Sequence, residues 1–202
     1  MTKIIVKRSI YFILLCSIIM SCEEEPVIPK RTTYLQINFP NHTYHIQKGT
    51  GPYEFNMSDA WVLNNPVLEF DGTFSQEEID LSTGGQSNGI ASLLYRKFEE
   101  KDTLYQLITD SNKKVDYEKI KANTIHYSQI IDEDNRVYGT FFELIGDGVA
   151  TPFQFYLTDS SENYIHGSVY LSYSKYEAAK PLLTHLKAGV LELINTIKWG
   201  KN

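Results

Sequence analysis

The chain has 202 residues, of which 42% are hydrophobic, 13% aromatic and 22% charged. This composition supplies enough apolar surface for a folded core, so it excludes intrinsic disorder and collagen-like or low-complexity structure for the bulk of the chain. The net charge of −6 makes nucleic acid an unfavourable partner, because an acidic surface repels a phosphate backbone.

The first residues have the pattern of a secretory signal peptide. Three basic residues among the first eight precede an apolar run over residues 10–20. Such a run would span about 16 Å as a helix, roughly half of a ~30 Å hydrocarbon core, which argues against a permanent transmembrane helix. It ends in Ile-Met-Ser-Cys, which resembles a lipobox. We therefore predict a lipoprotein signal peptide over residues 1–21 and lipidation of Cys22. The alternative is a chance cysteine after an ordinary signal peptide.

Lipidation at Cys22 would have two consequences for the mature chain. Cys16 would leave with the signal peptide and the Cys22 sulfur would become a thioether, so no thiol would remain for catalysis, a disulfide or a metal site. The acidic run Glu23-Glu24-Glu25 and two prolines predict a stiff tether over residues 22–32, before a single domain over 33–202. The glutamates fit a solvated spacer, or they resemble the acidic surface-export signals of some bacterial lipoproteins.

The first half of the domain predicts short strands separated by Gly, Asn and Pro. These strands cover residues 34–39, 43–46, 52–56 and 67–71. The stretch 82–89 is rich in Gly, Ser and Asn and predicts a loop. A helix is predicted from about 89 to 110, on the apolar stripe of Ile90, Leu94, Phe98, Tyr105 and Ile108.

The second half predicts a four-stranded antiparallel meander and a final helix. The strands cover residues 123–131, 137–145, 151–158 and 164–173. The helix runs to Trp199 with its regular part from Pro181, on the stripe Tyr176, Ala179, Leu183, Leu186, Val190, Leu193 and Ile197. This order predicts an α+β domain with an antiparallel sheet and packed helices, in which Val190 and Leu193 are buried. A Mog1/PsbP-like arrangement is an analogy at the level of the fold.

Candidate catalytic and ligand-binding residues are sparse. His42 and His45 are three apart, so on a strand they point to opposite faces and make a poor metal pair. The Gly-rich stretch before residue 90 lacks the consecutive Gly-Lys-Ser/Thr sequence of a phosphate-binding loop. Asp159 and its neighbouring serines are expected to cap a turn. We therefore expect no catalytic residue, no metal and no cofactor, although a pair of carboxylates that meet in space stays possible.

Several segments resemble the gliding-motility lipoprotein GldD family of Bacteroidota. The segment over 138–160, which contains Tyr-Gly and Thr-Asp-Ser, is similar to a strand and turn of that family. Asn163-Tyr-Ile-His-Gly-Ser-Val-Tyr-Leu171 and Thr196-Ile-Lys-Trp199 match its last strand and the end of its last helix. Lys121-Ala-Asn123 matches the start of its meander. The resemblance covers about residues 104–199, together with the lipidated N-terminus.

Two positions depart from the family pattern. Members of the family tend to carry Cys-Pro-Phe and a later Cys-Trp, and the resemblance implies that these cysteines pair. This chain has Gly51-Pro52-Tyr53 and Ala60-Trp61, so both cysteines are absent together. The chain is thus expected to be a divergent member.

The resemblance implies a non-enzymatic accessory component of a gliding-motility and type IX secretion-linked envelope machine. It would be a lipid-anchored protein of the outer membrane, facing the periplasm or the cell surface, with membrane and machinery proteins as partners. The alternative is a ligand- or glycan-binding module or a hydrolase. For a binding surface we predict Tyr164 and Tyr170, which share strand parity and should be both buried or both exposed.

The lipobox generates the first test. We expect Cys22→Ala to abolish acylation, because no other residue of the motif offers a thiol to the diacylglycerol. Metabolic labelling with an alkyne palmitate should mark the wild type and the control Cys16→Ala, whose change lies in the apolar run. Equal labelling of Cys22→Ala and the wild type would contradict the lipidation site.

Overall fold

A computed structural model describes residues 39–64, 66–83 and 86–200. The predicted signal peptide over 1–21 and the predicted tether over 22–32, with Cys22, lie outside these residues. All of the predicted strand over 34–39 except Phe39 also lies outside them. Neither helix of the described part has the length and apolar character needed to cross a membrane.

The described residues form ten strands and two helices, which confirms the predicted α+β class. The strands are β1 (Tyr44–Lys48), β2 (Tyr53–Ser58), β3 (Val62–Leu63), β4 (Phe74–Thr83), β5 (Gln86–Lys97), β6 (Thr124–Asp132), β7 (Val137–Ile145), β8 (Phe153–Thr158), β9 (Asn163–Tyr170) and β10 (Lys198–Trp199). The helices are α1 (Lys101–Glu118) and α2 (Tyr176–Thr196). The likeness to Mog1/PsbP stays a prediction.

The described strands form two antiparallel sheets. The smaller sheet has the order β1-β2-β10, and the larger has the order β3-β4-β5-β9-β8-β7-β6. Strands β6 to β9 form the predicted meander, in which each strand pairs with the next along the chain. The two halves of the chain meet where residues 90–97 of β5 pair with residues 163–170 of β9.

Strand β5 occupies residues for which the sequence predicted a helix. The helix expected over 89–110 is wrong up to Lys97, because β5 pairs with β4 on one side and β9 on the other. Ile90 and Leu94 are four residues apart, a spacing that fits one face of a helix and one side of a strand equally well. Residues 98–100 are not helical either, so the prediction is confirmed only from Lys101, where α1 begins, to residue 110. The helix then continues to Glu118.

Two further predictions in this region are wrong. The loop expected over 82–89 is a hairpin, in which Ser82 pairs with Ser87 at the end of β4. The strand expected over 67–71 contributes only an isolated bridge between Leu68 and Gln76. Strand β4 was not predicted, because its inward positions include Ser75 and Glu77, which interrupt the apolar alternation typical of a strand.

Helix α2 confirms the predicted apolar stripe but differs at both ends. It begins at Tyr176, so Pro181 lies inside it and not at its start. The carboxylate of Asp147 stabilises this earlier start, because Oδ1 accepts the Tyr176 N–H at 2.9 Å and Oδ2 the Lys175 ammonium at 2.7 Å. The helix ends at Thr196, and Trp199 instead belongs to β10, which pairs with β2.

The main core lies on one face of the larger sheet, beneath α2 and the smaller sheet. Leu186, Val190 and Leu193 of α2 are at most 2% exposed, which confirms the predicted burial of the last two. They belong to one apolar cluster with Phe155 of β8 and Ile165 of β9. On the opposite face α1 covers a smaller cluster of Val115, Leu144 and Val149.

A buried carboxylate joins the smaller sheet to the larger one. Glu77 of β4 is fully buried, and its side chain accepts hydrogen bonds from the backbone N–H and the hydroxyl of Thr50 at 2.9 and 2.8 Å. It also accepts a short hydrogen bond from the Tyr53 hydroxyl, and burial raises the pKa of that tyrosine. Three donors therefore compensate the cost of burying this carboxyl group.

The packing of α2 generates the second test. Leu193→Ala removes a fully packed side chain and should lower the free energy of unfolding by about 2–5 kcal/mol, through lost burial and a residual cavity. Leu191→Ala makes the same change two residues away, where the side chain is only partly buried, and should cost clearly less. Urea denaturation of the three proteins measures both. Equal midpoints for Leu193→Ala and the wild type would contradict the packing.

Candidate functional site

Helix α1 determines which side chains of β9 reach solvent on the open face of the larger sheet. Tyr164, His166, Ser168 and Tyr170 all point to this face, because side chains alternate along a strand. The first three are buried, whereas Tyr170 is 50% exposed. The prediction that Tyr164 and Tyr170 would share one environment is therefore wrong. Their six-residue separation is about 20 Å of strand, and the hydrogen bonds between α1 and β9 lie at the Tyr164 end.

Tyr164 is fixed beneath α1 by two contacts to that helix. Its hydroxyl donates to the Leu107 carbonyl at 3.0 Å and lies 2.5 Å from the Ser111 hydroxyl. Burial raises the pKa of Tyr164, so the phenol stays protonated. Its ring also stacks on Tyr156 of β8, with centroids 6.2 Å apart. A partner has no access to this side chain, which instead holds α1 and Tyr156 in place.

His166 lies beside Tyr164 in the same buried polar network. Its Nδ1 is 2.9 Å from the Ser111 hydroxyl and its Nε2 is 3.0 Å from the Ser168 hydroxyl. We assign the neutral tautomer with a proton on Nδ1, because only this choice gives each hydrogen bond of the network one donor and one acceptor. Each group then donates to the next in the order Ser168, His166, Ser111, Tyr164 and the Leu107 carbonyl. Burial and the charge of Lys114 lower the pKa of His166 to about 3.

The Ser111–His166 contact resembles the nucleophile and base of a hydrolase, but its chemistry differs. A catalytic histidine works best with a pKa near the operating pH and is oriented by a carboxylate. Here both ring nitrogens of His166 bond to serine hydroxyls, and its low pKa makes the ring a weak base. The arrangement suits structural support better than proton transfer.

The part of the open face that α1 leaves uncovered carries tyrosines on three adjacent strands. Tyr127 and Ile131 of β6 are 73% and 67% exposed, and Tyr138 of β7 and Tyr156 of β8 are partly exposed. Register places them on one side, since Ile131 pairs with Tyr138, and Thr140 pairs with both Gln129 and Tyr156. We call Tyr127, Ile131, Tyr138 and Tyr156 the tyrosine surface.

Strand β6 forms one outer edge of the larger sheet. It pairs with β7 along nine residues, and its other side has no strand partner in the part of the chain that the structure describes. A long edge with exposed apolar side chains is a template for pairing with another protein. The tyrosine surface and this free edge therefore form one continuous region that could contact a partner.

The strands that carry the tyrosine surface are predictable from the sequence, whereas the surface itself is not. The sequence signal for this surface is the two-residue spacing of Tyr127, Gln129 and Ile131. This spacing places all three side chains, two of them apolar, on one side of β6. Whether that side faces a helix or solvent depends on where α1 packs, and local sequence does not determine this.

The predicted role of Asp159 is confirmed. Its Oδ1 accepts the backbone N–H groups of Ser161, Glu162 and Asn163, each at 2.9 Å, and so caps the turn between β8 and β9. Burial alone would raise the pKa of Asp159, but these hydrogen bonds outweigh it and lower the pKa to about 2.

The histidines at positions 42 and 45 lie in separate environments. The His42 ring stacks on His185 with centroids 4.0 Å apart, whereas His45 Nδ1 is 2.6 Å from the Asp59 carboxylate. Burial, and then the charge of His42, lower the pKa of His185. Within residues 39–64, 66–83 and 86–200, no group of three or more His, Cys, Asp or Glu side chains is placed to hold a metal ion.

Together these features define an α+β domain with one packed sheet face and one partly open, tyrosine-bearing face. The family model described as "Gliding motility lipoprotein GldD" matches residues 24–199. The chain therefore belongs to the gliding-motility lipoprotein GldD family, as the sequence resemblance predicted. None of the curated proteins matches the chain.

The buried network generates the third test. The pKa of His166 lies below the ordinary histidine value of about 6.5, so the folded protein should keep this ring neutral from about pH 8 to pH 5. In the unfolded chain this histidine is protonated below about pH 6.5, so the contribution of His166 to the stability of the folded protein falls as the pH drops below that value. The Hε1 and Cε1 NMR shifts, assigned with His166→Gln, measure the titration. A midpoint above about pH 5 would contradict the network.

Proposed function

We propose that this protein is a non-enzymatic accessory component of a gliding-motility machine linked to type IX secretion in a member of the Bacteroidota. Its membership of the GldD family is the observation that carries the proposal. The lipobox supports anchoring through Cys22 after removal of residues 1–21, and the acidic tether over 22–32 supports sorting to the outer membrane. Several acyl chains would make such anchoring effectively permanent.

The anchor would limit where the protein finds its partner. Residues 22–38 separate the lipidated cysteine from the first described residue, and a chain of that length reaches at most about 60 Å. The domain over 33–202 would therefore act close to the membrane, on the periplasmic or the external side. A partner at that distance is another envelope protein of the same machine.

The tyrosine surface is the best candidate for that contact. Tyrosine suits binding surfaces because it offers a large contact area, has few rotamers to immobilise and carries a hydroxyl for the rim. The stacked ring of Tyr164 on the neighbouring strand supports Tyr156 from one side, so this part of the surface is preorganised. Tyr170, half-exposed and paired with Ile90, would add a second and smaller contact on the same face of the sheet.

We infer a non-enzymatic role from the buried network of Ser111, Tyr164, His166 and Ser168. His166 and Ser111 are the most enzyme-like pair in the described part of the chain, and their hydrogen bonds are used within the protein. Robust hydrolase activity of the purified protein would therefore contradict the proposal.

The fourth test asks whether motility depends on the tyrosine surface. In the bacterium that encodes the protein, the chromosomal double change Tyr127→Ala and Ile131→Ala should strongly reduce gliding, because it removes the two most exposed side chains of that surface. The matched control is Tyr117→Ala with Ile120→Ala, which removes the same side-chain types at positions 78% and 93% exposed near the end of α1.

Cell tracking on glass measures the gliding speed, and immunoblots confirm equal amounts of the proteins. The control strain should glide like the wild type. Equal gliding of the two double variants would refute a role for this surface.

A further inference from the structure

A second candidate site lies beneath α1, separate from the tyrosine surface. A cavity of about 310 Å³ lies between α1 and strands β5 and β9. Its lining includes Arg96, Gln106, Ser111, Lys114, Tyr164 and His166, and we call it the α1 cavity. The volume falls at the lower end of the range for small-molecule sites, about 300–1,000 Å³. The cavity shares no lining residue with the tyrosine surface.

The floor of the α1 cavity is polar but carries no charge. Ser111, Tyr164 and His166 are at least nine-tenths buried and hydrogen-bonded to one another in a single chain. His166 is neutral, and the Tyr164 phenol keeps its proton. The charge of the cavity is therefore decided by the side chains at its mouth.

Two cations face the mouth. Arg96 extends from β5 with its guanidinium 5.1 Å from the centre of the Phe74 ring, and Lys114 extends from α1. Neither forms an ion pair with a carboxylate of the described residues. The one carboxylate of the lining, Asp110, lies 3.0 Å from the Lys113 ammonium, so its charge is shared between that cation and Lys114.

The two cations are close enough to affect each other. Burial lowers the pKa of Lys114, the carboxylate of Asp110 raises it, and the positive charge of Arg96 lowers it further. Like charges beside a low-dielectric cavity are unfavourable unless an anion compensates them. This cationic pair occurs in a protein whose net charge is −6, so a general excess of basic residues does not explain it.

We propose that the α1 cavity binds the phosphate monoester group of a small ligand. A phosphate monoester carries a charge of about −2 at neutral pH and balances both cations, whereas a carboxylate balances one. The guanidinium fork of Arg96 matches two phosphate oxygens, and the Lys114 ammonium supplies a point charge. Thr103 and Gln106 at the rim offer further donors, and Leu94 and Leu107 provide an apolar wall for the rest of the ligand.

The same chemistry could reach the cavity from two sources. One is a soluble phosphorylated metabolite. The other is the headgroup of a phospholipid with a terminal phosphate, in the membrane that would hold the lipid anchor. Glycerol 3-phosphate is a probe that contains the group common to both.

The test is a titration of the lipidated mature protein, reconstituted in phosphatidylcholine nanodiscs, with glycerol 3-phosphate by isothermal calorimetry. We expect saturable binding that is at least about tenfold tighter than the binding of acetate. Nanodiscs that also contain phosphatidic acid distinguish the sources. A weaker apparent affinity there indicates a lipid headgroup in the cavity, and an unchanged affinity indicates a soluble ligand.

Two substitutions connect the binding to the cavity. Arg96→Gln and Lys114→Gln should each weaken the affinity at least about tenfold, because each removes a charge-assisted contact. The matched control is Lys119→Gln, which removes the same charge at the end of α1, outside the lining. All three side chains are exposed enough that the melting temperature should change little.

Three results would overturn the proposal. These are no binding of glycerol 3-phosphate, equal binding of acetate, and equal affinities of Lys114→Gln and Lys119→Gln. Loss of motility in the tyrosine-surface variant does not depend on any of them, so the two proposals fail separately.

Discussion

The pairing of β5 with β9 is the contact on which the other features of the domain depend. It joins the hairpin of β4 and β5 to the meander through eight residue pairs, from Ile90 with Tyr170 to Lys97 with Asn163. The same register sets Arg96 opposite Tyr164, and therefore places a cation beside the polar floor of the α1 cavity. Gly167, at the centre of β9, leaves the space that the Phe155 ring fills, because a Cβ there would clash with that ring. One ladder thus connects the core, the cavity and the exposed face.

Local sequence was sufficient to predict the elements that contact mainly their neighbours along the chain. The meander follows from strands separated by turns, and Asp159 caps one of these turns with its own carboxylate. The stripe of α2 recurs over five turns of helix, so its buried face was predictable. The start of α2 was not, since it depends on Asp147, which lies far from Tyr176 along the chain.

The elements that failed are those whose environment comes from distant residues. Ile90 and Leu94 suggested a helix, and only pairing with β4 and β9 makes that segment a strand. Strand β4 carries the buried Glu77, whose donors come from Thr50 and Tyr53. The open sheet face depends likewise on the position of α1, which buries one tyrosine of β9 and leaves another half-exposed. The alternation of side chains along a strand determines which face of the sheet each residue occupies. Whether another element covers that face depends on tertiary packing.

The central claim is that a lipid-anchored domain of the GldD family contacts its machine through the uncovered part of the sheet. The most direct measurement is photocrosslinking in living cells, with a benzoylphenylalanine residue placed at Tyr127 or, for comparison, at Tyr117 on α1. Both positions are more than 70% exposed, so accessibility does not favour either. The account predicts a discrete adduct with an envelope protein of the gliding machinery at position 127 and none at position 117. The same adduct at both positions, or only at 117, would contradict it.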